Sequence, residues 1–240
     1  MAKKLHSVFH RSKSEILWTI IPALLWLGST YARPLLIQTP CPKNPKSCTK
    51  ETLLPIDQLS IGMENGDADG YSYITQNFSG PWAFSLPLAW SAIRFFGGSL
   101  TPAATTAIIA KDVVTLFQVI SWNGLFTELS HIVSQRPRPF VYMDPVSRGT
   151  DSAHYTSFYS GHTSFAASTT TSAFLILLNR KAPLVLLLIS FASSQALILS
   201  TAYFRILAGR HFLTDVICGA IAGSLVAYFV VRGKKSNPGS

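Results

Sequence analysis

Six blocks of mostly apolar residues constrain the fold of this 240-residue chain more than any other feature of its sequence. An α-helix rises 1.5 Å per residue, so about 20 apolar residues cross the hydrocarbon core of a bilayer. Charged residues make up only 13% of the chain, against roughly 25% in soluble domains. The pattern predicts an all-α fold, a bundle of six transmembrane helices. The blocks lie at about residues 16–32, 81–97, 104–130, 163–179, 183–203 and 212–231.

The distribution of positive charge predicts the orientation of these helices. Basic residues outnumber acidic ones at the N-terminus, in the loop at Arg180 and Lys181, and in the C-terminal tail. Cytoplasmic segments of membrane proteins carry such an excess, so all three are predicted to be cytoplasmic. The formal net charge of +9 is therefore interpreted as topology-setting charge, and no contact with nucleic acid is expected.

The chain divides into five predicted regions. Residues 1–15 form a basic cytoplasmic N-terminus, 16–32 the first transmembrane helix, 33–80 an external loop region, 81–231 a core of five transmembrane helices, and 232–240 a cytoplasmic tail. The basic and apolar residues at the start also fit a secretory signal peptide that is cleaved near Ala32. Either interpretation places residue 33 onward outside the cytoplasm.

Two of the three cysteines lie close together in the predicted external region. Cys41 and Cys48 stand in a polar, proline-rich stretch, whereas Cys218 lies within an apolar block. A disulfide between Cys41 and Cys48 is expected if the loop faces an oxidising compartment, and two free thiols are the alternative. Cys218 is expected to pack as a small apolar residue.

Three polar clusters lie at the predicted outer ends of the helices. The first runs from His131 to Pro139, the second from Ser160 to His162, and the third from Arg205 to Asp215. Nothing in the assignment of the helices required these clusters to lie on the same side of the membrane. Their coincidence predicts one outward-facing site at the helix ends.

The third cluster suggests a nucleophile. His211 and Asp215 are four residues apart at the start of a helix and therefore share one helix face. A carboxylate that accepts a hydrogen bond from one imidazole nitrogen fixes the tautomer and leaves the other nitrogen free to attack. We expect His211 to be the nucleophile and Asp215 to orient it.

The other two clusters supply groups that suit a phosphate. The guanidinium groups of Arg138 and Arg205 match phosphate oxygens and stabilise charge during phosphoryl transfer. Ser160 offers a hydroxyl and Gly161 an unobstructed backbone N–H, while His162 offers a proton to a leaving oxygen. Together these residues predict a site that transfers a phosphoryl group with no metal and no other cofactor.

The three clusters resemble the signature motifs of the type-2 phosphatidic acid phosphatase superfamily. The third family motif, Arg, five residues, His, three residues and Asp, matches in full at Arg205, His211 and Asp215. The second, Ser-Gly-His, matches at residues 160–162, and the Arg-Pro of the first matches at Arg138 and Pro139. The resemblance covers about residues 80–231.

The resemblance implies the same division of roles, with one departure from the family pattern. It implies that His211 is the nucleophile, Asp215 its partner and His162 the general acid. The family lysine that precedes Arg138 by seven positions is His131 here. Histidine can also donate to phosphate, but carries a full charge only below about pH 6.5 when its pKa is unperturbed. We expect His131 to join the phosphate-binding residues.

The predicted function is the hydrolysis of a lipid phosphate monoester or pyrophosphate. The resemblance implies as substrates a lipid A phosphate, undecaprenyl pyrophosphate, phosphatidylglycerol phosphate or phosphatidate. Because the chain is compact and its inside loops are short, a bacterial envelope lipid is expected, in an inner membrane with the site facing the periplasm. The expected partners are this lipid and the bilayer, with no obligate protein partner. Two alternatives stay open: transfer of the phosphoryl group to an acceptor lipid, and a non-enzymatic transporter.

Overall fold

Six long helices form the framework of the protein. The computed structural model describes residues 2–233 and the side chains from residue 15 onward. The prediction of an all-α fold is confirmed, because this part of the chain contains no β-strand. The basic tail predicted for residues 232–240 lies outside the described residues from position 234 onward. The helices are α1 (Ala2–Leu36), α2 (Gly66–Phe96), α3 (Pro102–Ser134), α4 (Gly161–Asn179), α5 (Leu184–Leu207) and α6 (Leu213–Gly233).

Three helical segments are long and apolar enough to cross a membrane. They are Pro102–Tyr142, which includes α3, Leu184–Leu207 and Leu213–Gly233. These segments support the prediction of a membrane protein, whereas the count of six spans stays a prediction. The sequence of α4 is less apolar, because the five residues 168–172 at its centre are all serine or threonine.

Helix α2 begins well before the sequence predicted. The expected external loop region was residues 33–80, but α2 starts at Gly66. Asn65 caps its N-terminus by accepting a hydrogen bond from the backbone N–H of Ala68 at 3.0 Å. Asp67 and Asp69 lie in the first turn, where negative charge stabilises a helix. The polar residues that made this segment look like a loop are therefore the residues that begin the helix.

Helices α4 and α6 pack closely at two glycines. A Cβ atom added at Gly219 would lie 2.7 Å from the carbonyl oxygen of Ser160, and one added at Gly223 would collide with the backbone of Ser164. The spacing of four residues between these glycines is typical of close helix contacts in membranes. The backbone N–H of Ser160 also donates to the carbonyl oxygen of Asp215 at 3.1 Å. This contact sets the start of α4 against the start of α6.

Short helical turns cover one end of the bundle. Around residues 37–65 they are Pro45–Cys48, Lys50–Thr52 and Pro55–Gln58, and around residues 139–155 they are Pro139–Tyr142, Pro145–Arg148 and Ser152–Tyr155. We call the end of the bundle beneath these two stretches the capped end.

A disulfide and a buried tyrosine hold the two stretches together. Cys41 and Cys48 form a disulfide with a Cα–Cα distance of 5.7 Å. Both cysteines are buried with Val141 and Tyr155. The Tyr155 hydroxyl accepts from the Cys41 N–H at 3.2 Å and donates to the Gly149 carbonyl at 2.8 Å.

Candidate active site

The structure brings the predicted nucleophile together with the predicted acid and both predicted arginines. His211 lies at the capped end in the short connection between α5 and α6, and it is only 2% exposed. Burial holds the pKa of the His211 imidazole well below its ordinary value of 6.5, and the charges of Arg205, Arg138 and His162 lower the pKa further. His211 is therefore a neutral imidazole at neutral pH, which is the form that can attack.

A backbone carbonyl fixes the tautomer of His211. The Nδ1 atom lies 2.7 Å from the carbonyl oxygen of Ser157. A carbonyl oxygen only accepts hydrogen bonds, so Nδ1 carries the proton and Nε2 keeps its lone pair. The nearest carboxylate oxygen of Asp215 is 3.8 Å from Nδ1, which is too long for a hydrogen bond. The orienting contact predicted for Asp215 is thus made by Ser157 instead.

Asp215 acts on the neighbours of His211. Its Oδ2 atom accepts from the Ser157 hydroxyl at 2.6 Å and from the Phe212 backbone N–H at 2.9 Å. Its Oδ1 atom accepts from Arg136 at 2.6 Å. The carboxylate is completely buried, so these three donors compensate its charge. Asp215 therefore fixes the residues on both sides of the imidazole: the loop that holds Nδ1 and the turn that carries His211.

Arg136 and Asp57 extend the hydrogen bonds of Asp215 to the short turns that cover the capped end. Arg136 also donates to Asp57 at 2.8 Å, and its guanidinium lies 4.3 Å from the centre of the Phe212 ring. Asp57 is completely buried and accepts from the N–H and hydroxyl of Thr214 at 3.0 and 2.7 Å. Arg136 lies in the first predicted cluster, but the sequence carries no signal for Asp57.

Arg205 is held by an acidic residue that the sequence analysis did not identify. Arg205 is 2% exposed and donates through Nη1 to Asp69 at 2.6 Å and to Ser72 at 3.2 Å. The other oxygen of Asp69 accepts from Arg210 at 2.9 Å. Asp69 and Ser72 come from the part of α2 that was predicted to be loop.

Arg138 reaches the site from the loop after α3. Its backbone N–H donates to the carbonyl of His154 at 2.8 Å, and its side chain donates to the hydroxyl of Thr156 at 2.9 Å. Pro139 begins a helical turn directly after it. These contacts hold Arg138 against the segment that precedes the second cluster.

The second cluster forms the start of α4. The Ser160 hydroxyl caps this helix by accepting from the backbone N–H of Thr163 at 3.4 Å. The backbone N–H groups of Gly161 and His162 lie in the first turn, which favours anions. The His162 ring packs edge-on against Tyr73, with 4.5 Å between the ring centres. Ser160 thus shapes the anion-binding turn, while His162 projects from it.

His131 contacts the backbone rather than an open space. Its Nε2 atom lies 3.1 Å from the carbonyl oxygen of Tyr159, and its ring is 7% exposed. Because that carbonyl accepts, Nε2 is the donor and Nδ1 carries no proton in the neutral ring. His131 therefore supports the residue just before Ser160, and its contact with phosphate stays a prediction.

Three buried nitrogen atoms in the site have no hydrogen-bond partner in the protein. They are Nε of Arg138, Nε of Arg205 and Nε2 of His162. Buried polar atoms are nearly always paired, so each exception calls for an explanation. An anion with several oxygens would pair with donors of this kind, and a phosphoryl group has the required geometry. Across residues 15–233, no three of the His, Cys, Asp and Glu side chains form a metal-binding group.

The protein combines apolar helices with a buried neutral imidazole and two guanidiniums at one end of the bundle. This combination is typical of a membrane-associated protein that binds phosphate. The family model of the PAP2 superfamily matches residues 112–237, more than half of the chain. The chain belongs to the PAP2 superfamily, as its three motifs predicted, and this membership indicates phosphatase-type activity. No significant match is found among curated proteins or solved structures. Asp57 and Asp69 lie outside the region that the family model matches.

Proposed function

We propose that this protein is an integral-membrane lipid phosphatase that works through a phosphohistidine and without a metal. The observation that carries the proposal is the set of three unpaired buried nitrogen atoms, on Arg138, Arg205 and His162, whose side chains surround the neutral His211. A phosphate ester would accept hydrogen bonds from the two guanidiniums and from the His162 ring once it is protonated, with its phosphorus within reach of Nε2 of His211.

The proposed reaction has two steps at the same phosphorus atom. In the first, Nε2 of His211 forms a bond to phosphorus as the bond from phosphorus to the lipid oxygen breaks. His162, which takes up a proton when the anionic phosphate binds, gives that proton to the lipid oxygen. In the second, His162 takes a proton from a water molecule as the water oxygen bonds to phosphorus and the P–N bond breaks. Both histidines are then back in the forms that they had in the substrate complex, and inorganic phosphate leaves together with the proton that His162 took up.

The two arginines stabilise the charge that spreads over the oxygens during each step. Arg138 and Arg205 are fixed by Thr156 and Asp69, so they need little rearrangement as the reaction proceeds. The backbone N–H groups at the start of α4 add a partial positive charge to the site. These fixed charges perform the work for which many phosphatases use metal ions.

The surface beside the site supports a lipid as the substrate. Tyr71, Tyr73, Ile74 and Phe78 on α2 are each at least half exposed. Tyr71, Ile74 and Phe78 recur at helical spacing and form one apolar strip, while Tyr73 on another face of α2 contacts the His162 ring. The tails of a lipid would lie along this strip while its phosphate enters the site. The candidate substrates are a lipid A phosphate, undecaprenyl pyrophosphate, phosphatidylglycerol phosphate and phosphatidate.

We further propose that all six long helices span the membrane and that the capped end faces outward. The division into a cytoplasmic start, an external region, a five-helix core and a cytoplasmic tail belongs to this proposal. The disulfide between Cys41 and Cys48 in the cap supports it, because disulfides persist in oxidising compartments such as the bacterial periplasm. An active site at the outer face of a bacterial inner membrane follows.

A phosphate-release assay on the purified protein tests the proposal. The protein in detergent is incubated with each candidate lipid in excess EDTA, and we expect inorganic phosphate from at least one of them. With the terminal phosphate labelled, the protein should carry an acid-labile label, and His211→Ala should carry none. Asp67→Asn, an exposed change on α2, is the matched control and should behave as wild type.

Two results would contradict the proposal. Loss of activity in EDTA that a divalent ion restores would contradict a site without metal. Labelling of an acceptor lipid in place of release into water would show that the protein is a phosphotransferase instead.

A further inference from the structure

We propose that Asp69 is the counter-anion of the phosphate site and lowers the affinity of the protein for phosphate, so that the product leaves quickly. The inference rests on the proposed function, since it concerns the same site. It assigns a role to a residue outside the three motifs and outside the region that the family model matches.

One carboxylate pairs with two arginines in this part of the protein. Oδ1 of Asp69 lies 2.6 Å from Nη1 of Arg205, and Oδ2 lies 2.9 Å from Nη2 of Arg210. Two oxygens that bridge two guanidiniums are also what a phosphate would present to them. Asp69 thus makes the kind of contact that the substrate itself would make.

Burial explains why Arg205 needs such a partner. The Arg205 side chain is 2% exposed, whereas that of Asp69 is 25% exposed. An unpaired guanidinium at this depth would be strongly unfavourable, so a nearby carboxylate keeps the arginine in place between turnovers. The contact with Ser72 is to a neutral oxygen and leaves the charge uncompensated.

The same carboxylate opposes the binding of phosphate. A phosphate on the unpaired Nε of Arg205 would lie on the same guanidinium as Asp69, and the two anions would repel each other across it. Asp69 therefore weakens phosphate binding while it keeps Arg205 positioned. Weak binding of the product favours fast turnover, since release of product limits many enzymes.

Asp69 contacts Arg205 and also lines a cavity, which we take as the route of the product outward. Asp69 and Arg210 line a cavity of about 390 Å³ at the capped end, with Arg148 and His154 on its other walls. Arg210 is 37% exposed, so its guanidinium can follow a departing phosphate towards water. Asp69 then pairs with both arginines again.

The sign of one substitution separates this role from simple positioning. Asp69→Asn keeps the shape of the side chain and removes its charge. If Asp69 acts as a counter-anion, the variant binds phosphate more tightly. If it only orients Arg205, the variant binds phosphate more weakly, because the arginine loses its strongest contact.

The test measures the binding of inorganic phosphate and of orthovanadate to purified protein by calorimetry, and their inhibition of lipid hydrolysis. We expect the dissociation and inhibition constants of Asp69→Asn to fall at least about threefold, because the substitution removes a like charge that opposes the bound anion. Asp67→Asn removes the same charge from an exposed position two residues away and should change neither constant. Equal or weaker phosphate binding by Asp69→Asn would overturn the inference.

A second pair of variants covers the case in which Asp69→Asn does not fold. That variant leaves Arg205 and Arg210 without their carboxylate, and Arg210→Gln removes one of these two charges. The double variant Asp69→Asn/Arg210→Gln should therefore bind phosphate more tightly than Arg210→Gln alone. The inference is also overturned if the double variant binds no more tightly.

Failure of this inference is distinguishable from failure of the proposed function. If the wild-type protein hydrolyses a lipid phosphate and Asp69→Asn binds phosphate no more tightly, only the role of Asp69 is refuted. If the wild-type protein neither binds phosphate nor releases it from any lipid, both proposals are refuted.

Discussion

The Nδ1 atom of His211 donates its hydrogen bond to the main-chain oxygen of Ser157, at 2.7 Å, and not to the carboxylate of Asp215. This contact aims Nε2 of the ring without placing a negative charge directly against it. Asp215 binds the hydroxyl of the same serine at 2.6 Å. The carboxylate therefore acts on the imidazole through Ser157, which has consequences for pH dependence and for mutants.

The first prediction concerns the acidic limb of the pH profile. Because burial and two arginines lower the pKa of His211, the imidazole stays neutral at a pH where an ordinary histidine is protonated. Protonation blocks its attack, so kcat/KM should begin to fall only well below pH 6.5. Kinetics on a soluble short-chain substrate measure this limb for the free enzyme.

Arg205→Gln provides the comparison for that measurement. It removes a positive charge that lowers the pKa of His211, so its acidic limb should lie at a higher pH than that of wild type. The comparison uses each protein's rate relative to its own maximum. A wild-type limb at pH 6.5, unmoved in the variant, would contradict the assigned electrostatics.

The second prediction separates Ser157 from Asp215. Ser157→Ala removes one hydrogen bond to a buried carboxylate but keeps the carbonyl that holds His211. A bond of this type contributes about 1.5–3 kcal/mol, so kcat should fall roughly ten- to hundredfold. Asp215→Ala removes all three contacts of the carboxylate and leaves Arg136 less well paired, so its loss should be larger. Steady-state kinetics with matched expression checks the order; a Ser157→Ala protein as inactive as His211→Ala would contradict it.

The sequence predicted the parts of this site that depend on local spacing. Asp215 lies in the first turn of α6, whereas His211, which was predicted on the same helix, lies two residues before α6 begins. Ser160, Gly161 and His162 begin α4, and Arg138 stands directly before a proline. Each of these positions follows from the periodicity of a helix and from where an apolar block stops. The all-α architecture followed from the same blocks.

The residues that escaped prediction are paired through long-range contacts. Asp57 and Asp69 are separated from Arg136 and Arg205 by more than seventy residues, and only the folded chain brings them together. Asp69 also lies in a polar stretch whose helix is marked by a cap and acidic first turn rather than by apolar periodicity. Ser157 was missed because its carbonyl, which every residue has, makes the important contact.

The third prediction concerns the stability that the cap gives to the site. Asp57→Ala leaves Arg136 with one carboxylate in place of two and removes the cap of the Thr214 N–H. Breaking a buried pair costs about 3–5 kcal/mol, so the unfolding temperature in detergent should fall by several degrees. Asp151→Asn, a change at an exposed carboxylate above the same end of the bundle, is the control, and its unfolding temperature should fall much less. Equal unfolding temperatures for Asp57→Ala and wild type would show that the Asp57 contacts do not stabilise the fold.

The fourth prediction tests what His131 does in place of the family lysine. In the structure its Nε2 donates to the carbonyl of Tyr159, so the ring supports the turn that carries Ser160, Gly161 and His162. The amide of His131→Gln can make the same donation, and this variant should keep kcat within about threefold of wild type. His131→Ala leaves the carbonyl unpaired at a cost of roughly 1–3 kcal/mol and should lower both kcat and the unfolding temperature. If His131 instead binds the phosphate as a cation, both variants should raise KM to a similar extent. Both should then also keep the wild-type unfolding temperature. That outcome would show that His131 is a phosphate-binding residue.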